Sequence, residues 1–164
     1  MLVSLTPYHD LHFIETVKWL TDPEIKKQFG LTVKIDLEKH ISWVKNNSQN
    51  IMWAILCSGL HIGNIVVIPN VRHHSGYLQI YIGEKTYHGR GIGFISMQLA
   101  LENLFNHHRF HRIWLHCAED NPAALSLYKK IGFVFEGVER ECVYYNEIFR
   151  SLIRMSILKS EWIN

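Results

Sequence analysis

Residues 87–93 read Tyr-His-Gly-Arg-Gly-Ile-Gly, with Gly89, Gly91 and Gly93 at every second position. Glycines so spaced strip side chains from a short turn and let backbone N–H groups point into one concavity. A helical apolar pattern follows directly, so the turn also opens a helix, whose first amides are unpaired and partially positive. That arrangement suits capture of a pyrophosphate. Two other phosphate motifs are excluded. A P-loop places Gly-Lys-Ser/Thr after its glycines, whereas Phe94 and Ile95 follow Gly93. The dinucleotide fingerprint needs glycine where Ser96 stands, and an acid about twenty residues on, where the chain has Ile113 and Trp114.

A second pair is Asn121 and Tyr128. Asn121-Pro122 is a cap followed by a residue pre-shaped for the first helical position, and seven residues is nearly two turns. Both side chains therefore lie along one side of that helix. The 11 histidines do not form a metal set: His73-His74 and His107-His108 are adjacent pairs, and His107 and His111 straddle a helix-to-strand junction. No metal is expected. Cys57, Cys117 and Cys142 lack CxxC spacing and suit reduced thiols.

The elements that must position these residues follow from periodicity. Leu2–Thr6 predicts a strand, and Asp10 a cap for a helix over 11–20 with Leu11, Ile14, Val17, Trp19 and Leu20 as its buried stripe. Thr21–Glu24 breaks it, and Asp36 caps a helix over 37–47. Strands are predicted at 51–57, 62–68 and 77–83, the first two joined by a Ser58-Gly59 hairpin. A helix over 92–106 buries Phe94, Met97, Leu101, Leu104 and Phe105. After it come a strand at 112–117, a helix to Ile131 closed by Gly132, and strands at 133–139 and 152–158. Strand–helix–strand order across 77–139 predicts an α/β sheet in which the strands flanking the 92–106 helix run parallel.

The chain of 164 residues reads as one domain, 1–164, at 48% hydrophobic and 20% charged. Its charge is nearly balanced, 17 basic against 15 acidic residues for a net +2, with no basic stripe, so nucleic acid is not the expected ligand. No apolar run approaches the roughly 18 residues that span a bilayer, and Met1–Pro7 has no signal-peptide pattern. No membrane partner and a cytoplasmic location are expected. A homodimer is allowed but not specified.

The stretches YIGEKTYHGRGIG (81–93) and AEDNPAALSLYKKIGF (118–133) resemble the acetyl-CoA signatures of the GNAT N-acetyltransferase superfamily. WLTDPEI (19–25), IDLEKHISWV (35–44), GYLQIYIG (76–83) and GVEREC (137–142) are similar to the ribosomal-protein and amino-sugar branch, in particular the amino-sugar N-acetyltransferases of the pseudaminic-acid pathway. The resemblance implies a GNAT fold: one mixed, twisted sheet of about six to seven strands flanked by helices, splayed between the fourth and fifth strands. Three positions depart from the family pattern. His88 replaces the usual Gln or Arg, Tyr77 stands where an acidic base is common, and Ser151 replaces a late Asp.

The resemblance further implies acetyl-CoA as donor and a small-molecule primary amine as acceptor, most directly an amino-sugar nucleotide. A protein N-terminus or a polyamine is the alternative acceptor. A non-catalytic acetyl-CoA-binding module is disfavoured, because Asn121 and Tyr128 are retained. Pantetheine would pair with the open edge near Tyr81, Ile82 and Gly83, whose N–H groups would hold the oxyanion. The pyrophosphate would rest on His88, Gly89, Arg90, Gly91, Ile92 and Gly93, Asn121 would hold the pantetheine arm, and Lys130 (with Lys129) would reach the 3′-phosphate. Tyr128 would protonate the leaving thiolate. The base candidates are His116, Glu84 and Glu119, an imidazole being well suited to proton uptake near neutral pH.

Overall fold

The computed structural model describes residues 2–162. Seven strands form one sheet: β1 (Val3–Pro7), β2 (Ile51–Cys57), β3 (Leu60–Asn70), β4 (Ser75–Ile82), β5 (Arg112–Ala118), β6 (Val134–Tyr145) and β7 (Ile148–Leu158), in the spatial order β1-β2-β3-β4-β5-β7-β6. Helices α1 (Phe13–Leu20), α2 (Pro23–Phe29) and α3 (Leu37–Asn46) precede β2, α4 (Ile92–Glu102) links β4 to β5, and α5 (Pro122–Ile131) links β5 to β6. None of the described helices is long and apolar enough to cross a membrane.

All neighbouring strands pair antiparallel except β4 and β5, which are parallel as expected of strands joined through a helix. Their register covers Ser75↔Arg112, Gly76↔Ile113 and Tyr77↔Trp114 and then stops. Beyond it, residues 78–82 and 115–118 diverge, and the sheet opens into a seam. The sheet is thus the splayed α/β sheet anticipated from the sequence. The core lies against α4, where Met97, Ala100, Leu101, Leu104 and Phe105 are fully buried with Ile113 and Leu115 of β5. Truncating a leucine there, such as Leu101→Ala, costs about 2–5 kcal/mol.

Several boundaries differ from expectation for local reasons. Residues Asp10–His12 form a 3-10 turn, and α1 begins only at Phe13. The His9 N–H donates to His12 Nδ1 (3.1 Å), and the Asp10 carboxylate accepts from the adjacent Leu11 N–H (3.0 Å) instead of capping the helix. The expected apolar stripe is wrong as well. Leu11 is 82% and Ile14 70% exposed, while the buried side consists of His12, Thr16 and Trp19. Helix α4 ends in a widened π turn, Asn103–His107, which keeps Leu104 and Phe105 pointing inward. The last two strands are longer than predicted and form a hairpin. Its turn residues Asn146 and Glu147 both have positive φ (49° and 64°), a turn the sequence does not advertise with Gly.

Candidate active site

The glycine turn closes β4 and opens α4. Glu84 caps a 3-10 turn (Lys85–Tyr87), its carboxylate accepting from the Thr86 hydroxyl at 3.0 Å. His88 Nε2 donates to the Ile82 carbonyl (2.8 Å), bracing the turn against the strand end. Gly91 then takes a left-handed conformation (φ 75°, ψ 3°) that a side chain adopts only at a cost, and it caps α4 without offering a side-chain acceptor. The first amides of α4 are thereby left for an outside anion. Lys130 lies 4.9 Å from the centre of the Phe94 ring, beside this first turn, and Arg90 leans on Tyr87.

From the turn a continuous trough runs along the seam. Its outer part is a cleft of about 340 Å³ lined by Ile82, Gly83, His88, Asn121, Asp120 and Arg150, among others. Its inner part, about 350 Å³, is lined by Asn121, Tyr128, Cys117, His116, Gln79 and Glu139, among others. Asn121 lines both. Its carboxamide oxygen accepts from Ala124 N–H (3.1 Å) and so caps α5, which aims the helix start at the seam. Gln28 Nε2 donates to the Ile80 carbonyl (3.2 Å), where β5 no longer pairs with β4. The outer rim is tied by Asp120, which meets Lys27 Nζ at 2.8 Å and Arg150 Nη2 at 2.6 Å, the pairing that holds its carboxyl below the usual range.

Tyr128 is 5% exposed, and its hydroxyl makes no hydrogen bond among the described residues. Burial, reinforced by neighbouring Cys117 and Tyr77, raises its phenol well above the ordinary value, so it stays protonated throughout the working range. Burial similarly pushes the Cys117 thiol up to about 11. His116 packs edge-on against the stacked Tyr77 and Trp114 rings, with Nε2 3.0 Å from Glu139 Oε1, near enough to pair as an ion though not aligned as a hydrogen bond. The same Glu139 oxygen accepts from Arg154 Nη1 at 3.2 Å. His116 first, with Arg154, holds the Glu139 carboxyl below its ordinary value.

Seam and turn therefore bring Ile82, Gly83, His88, Asn121, Tyr128 and His116 into one trough. Two expectations need correction. Glu84 does not line the inner cleft, because its carboxylate is engaged in capping. The Gly83 N–H is not free for an oxyanion: it donates to the Ile62 carbonyl at 2.8 Å. The Tyr81 ring lies on the opposite side of β4, where its hydroxyl accepts from Asn64 Nδ2 (2.8 Å) and lines a different cavity. Among the neighbouring aromatics, Trp43 also lines that cavity and Tyr77 the inner cleft, while Trp19 and Trp53 are core. Sequence reasoning missed Gln28, Gln79 and Glu139. Only Glu139 left a trace, as an acid in the GVEREC stretch.

Residues 2–134 match the family model for the acetyltransferase (GNAT) domain. The chain belongs to the GNAT acetyltransferase family. Members of this family draw acetyl from acetyl-CoA, and the bared helix start, the seam and the unpartnered phenol fit that donor. Among relatives, spermidine N(1)-acetyltransferase of Vibrio cholerae serotype O1 is 36% identical over 104 residues, 63% of this chain and 60% of the relative. The enzyme of the same name from Escherichia coli K12 is 25% identical over 127 residues, 77% of this chain and 66% of the relative. The GNAT fold is also that of the spermidine N-acetyltransferase from Vibrio cholerae in complex with CoA and spermine, at a TM-score of 0.92 and 23% identity, covering 99% of this chain and 98% of that one. These relatives are named for spermidine. The amino-sugar subgroup expected from the sequence is not the one they support.

Proposed function

We propose that the protein is an acetyl-CoA-dependent N-acetyltransferase acting on a primary amine of a small molecule. The observation that carries the reading is the position of Tyr128: a buried tyrosine whose hydroxyl, unpartnered among the described residues, faces the same seam as Asn121 and His116. The neutral amine nitrogen attacks the thioester carbon, the C–S bond breaks, and the Tyr128 hydroxyl donates toward the sulfur as negative charge builds there. A protonated phenol offers the thiolate a hydrogen-bond donor where negative charge builds. His116 takes the proton the amine must lose, its Nε2 standing 3.0 Å from Glu139 Oε1. Asn121, the Ile82–Gly83 segment and the amides from His88 to Gly93 hold and orient the donor, with Arg90 and Lys130 adding positive charge at the helix start. Orientation alone supplies much of the acceleration, up to about 7–11 kcal/mol.

The relatives' names support a polyamine acceptor above the amino-sugar nucleotide. A thiol-release assay with acetyl-CoA and a panel of polyamines, monoamines, amino-sugar nucleotides and peptides tests the reading. Amine-dependent release of CoA, with an N-acetyl product by mass spectrometry, is expected. Absence of release with every amine, despite calorimetric binding of acetyl-CoA, would refute it.

A further inference from the structure

A third cavity, about 490 Å³, lies on the sheet face opposite α4, under α1, α2, α3 and the 30–36 segment. Phe29 and Gln79 line both it and the inner cleft, so the two share a wall at the seam. Its floor and sides are mainly Leu20, Leu31, Ile35, Met52 and Val66. Its rim exposes apolar side chains to water: Val33 (60%), Ile68 (41%) and Trp43 (40%).

The polar groups within it are mostly matched to one another. The Tyr8 hydroxyl meets His40 Nε2 at 2.7 Å, and Asn64 Nδ2 donates to both Thr16 Oγ1 and the Tyr81 hydroxyl at 2.8 Å. No aspartate or glutamate lines the cavity. Its one lysine, Lys39, donates to the Lys34 carbonyl, and Asp36, outside the lining, accepts from the Lys39 N–H as the cap of α3. An ammonium placed here would be desolvated with no countercharge. A polycation, whose second and third charges must all be buried or paired, is the wrong ligand for such a lining. An apolar chain is the right one, since it would cover the rim and the dry walls together.

We infer that the acceptor is an amine with a single ammonium on an apolar body: the body occupies this cavity, and the amine passes Phe29 and Gln79 into the seam beside His116 and Tyr128. The inference rests on the acetyl-transfer reading and departs from the polyamines in the relatives' names.

The test is a series of linear primary alkylamines, propyl to hexyl, run against spermidine in the thiol-release assay, alongside calorimetry of the same amines without acetyl-CoA. Each added methylene should raise kcat/KM about fourfold, and hexylamine should exceed spermidine at least tenfold. Ile68→Glu and Val33→Glu change exposed rim residues, so the fold should survive; each should flatten the alkyl series and improve spermidine. A flat series with spermidine preferred overturns the inference while leaving acetyl transfer intact. If no amine releases thiol, the proposed activity fails, and calorimetry still decides the cavity: affinity rising with chain length and lost in Ile68→Glu upholds it, and no alkylamine binding overturns it.

Discussion

Against one face of the sheet, α4 and α5 present Ile92, Met97, Ala100, Leu101, Leu104 and Tyr128, and the packing there is apolar and dry. Against the other face, the 10–12 turn, α1 and α3 bury His12, Thr16, Trp19 and His40, and β3 meets them with His61 and Asn64. The first face is the one proposed to bind a donor shared by a whole family, with requirements that reduce to backbone amides, a capped helix and one phenol. The second surrounds the proposed acceptor cavity, where most polar groups are held by particular neighbours. Generic chemistry tolerates an apolar scaffold, whereas specific recognition is built from a hydrogen-bonded network that must stay intact to keep its shape.

That contrast can be broken most severely at Tyr128. Tyr128→Phe should lower turnover about a hundredfold or more while leaving the melting midpoint unchanged, because the lost hydroxyl has no partner among the described residues; turnover within threefold of wild type removes the acid role. Acid should separate the faces next. Burial first, then the neighbouring His61 and His9, lowers His12 to about 4, and burial lowers His40 and His61 as well. A histidine that resists protonation when folded contributes its full stability above its ordinary value of about 6.5, and that contribution is lost as pH falls toward about 4. The loss is on the order of 3 kcal/mol for His12. Hydrogen exchange followed from pH 7 to pH 4 should show α1 and α3 losing protection before α4, and simultaneous loss would argue against two differently built faces.

A smaller cut is Asn64→Leu, which strips partners from His61, Thr16 and Tyr81 and should cost about 2 kcal/mol in denaturant melts. A change under 0.5 kcal/mol would mean the network is not structural. The smallest is Asp120→Asn at the exposed outer rim, where paired charges are solvated. It should move stability by less than about 1 kcal/mol. A larger loss would show the Lys27–Asp120–Arg150 tie holding the seam's rim together.

The same division decided what the sequence disclosed. The glycine turn, the Asn121-Pro122 start of α5, the Ser58-Gly59 hairpin and the apolar period of α4 are local signals whose physics is complete within a few residues. All were readable. Leu11 and Ile14 misled because an apolar stripe is read as buried, and here the buried side of the helix is polar and satisfied by β3. The Gly83 amide looked available because nothing in 81–93 reveals that Ile62, twenty-one residues earlier, accepts it. Glu84 looked like a base and is a cap. Gln28 and Gln79 reach the seam through tertiary placement alone, which no spacing rule records.

The shortness of the β4–β5 register has one more consequence. Three residue pairs are all that stitch strands β1–β4 to β5–β7 by direct strand pairing, so the molecule resembles a book with a brief spine. A slender molecule laid along the gutter would touch both pages and act as stitching that the chain itself omits. Stiffness across the halves would then depend on occupancy, and pulling or shaking the protein should find its weakest line at that spine when it is empty.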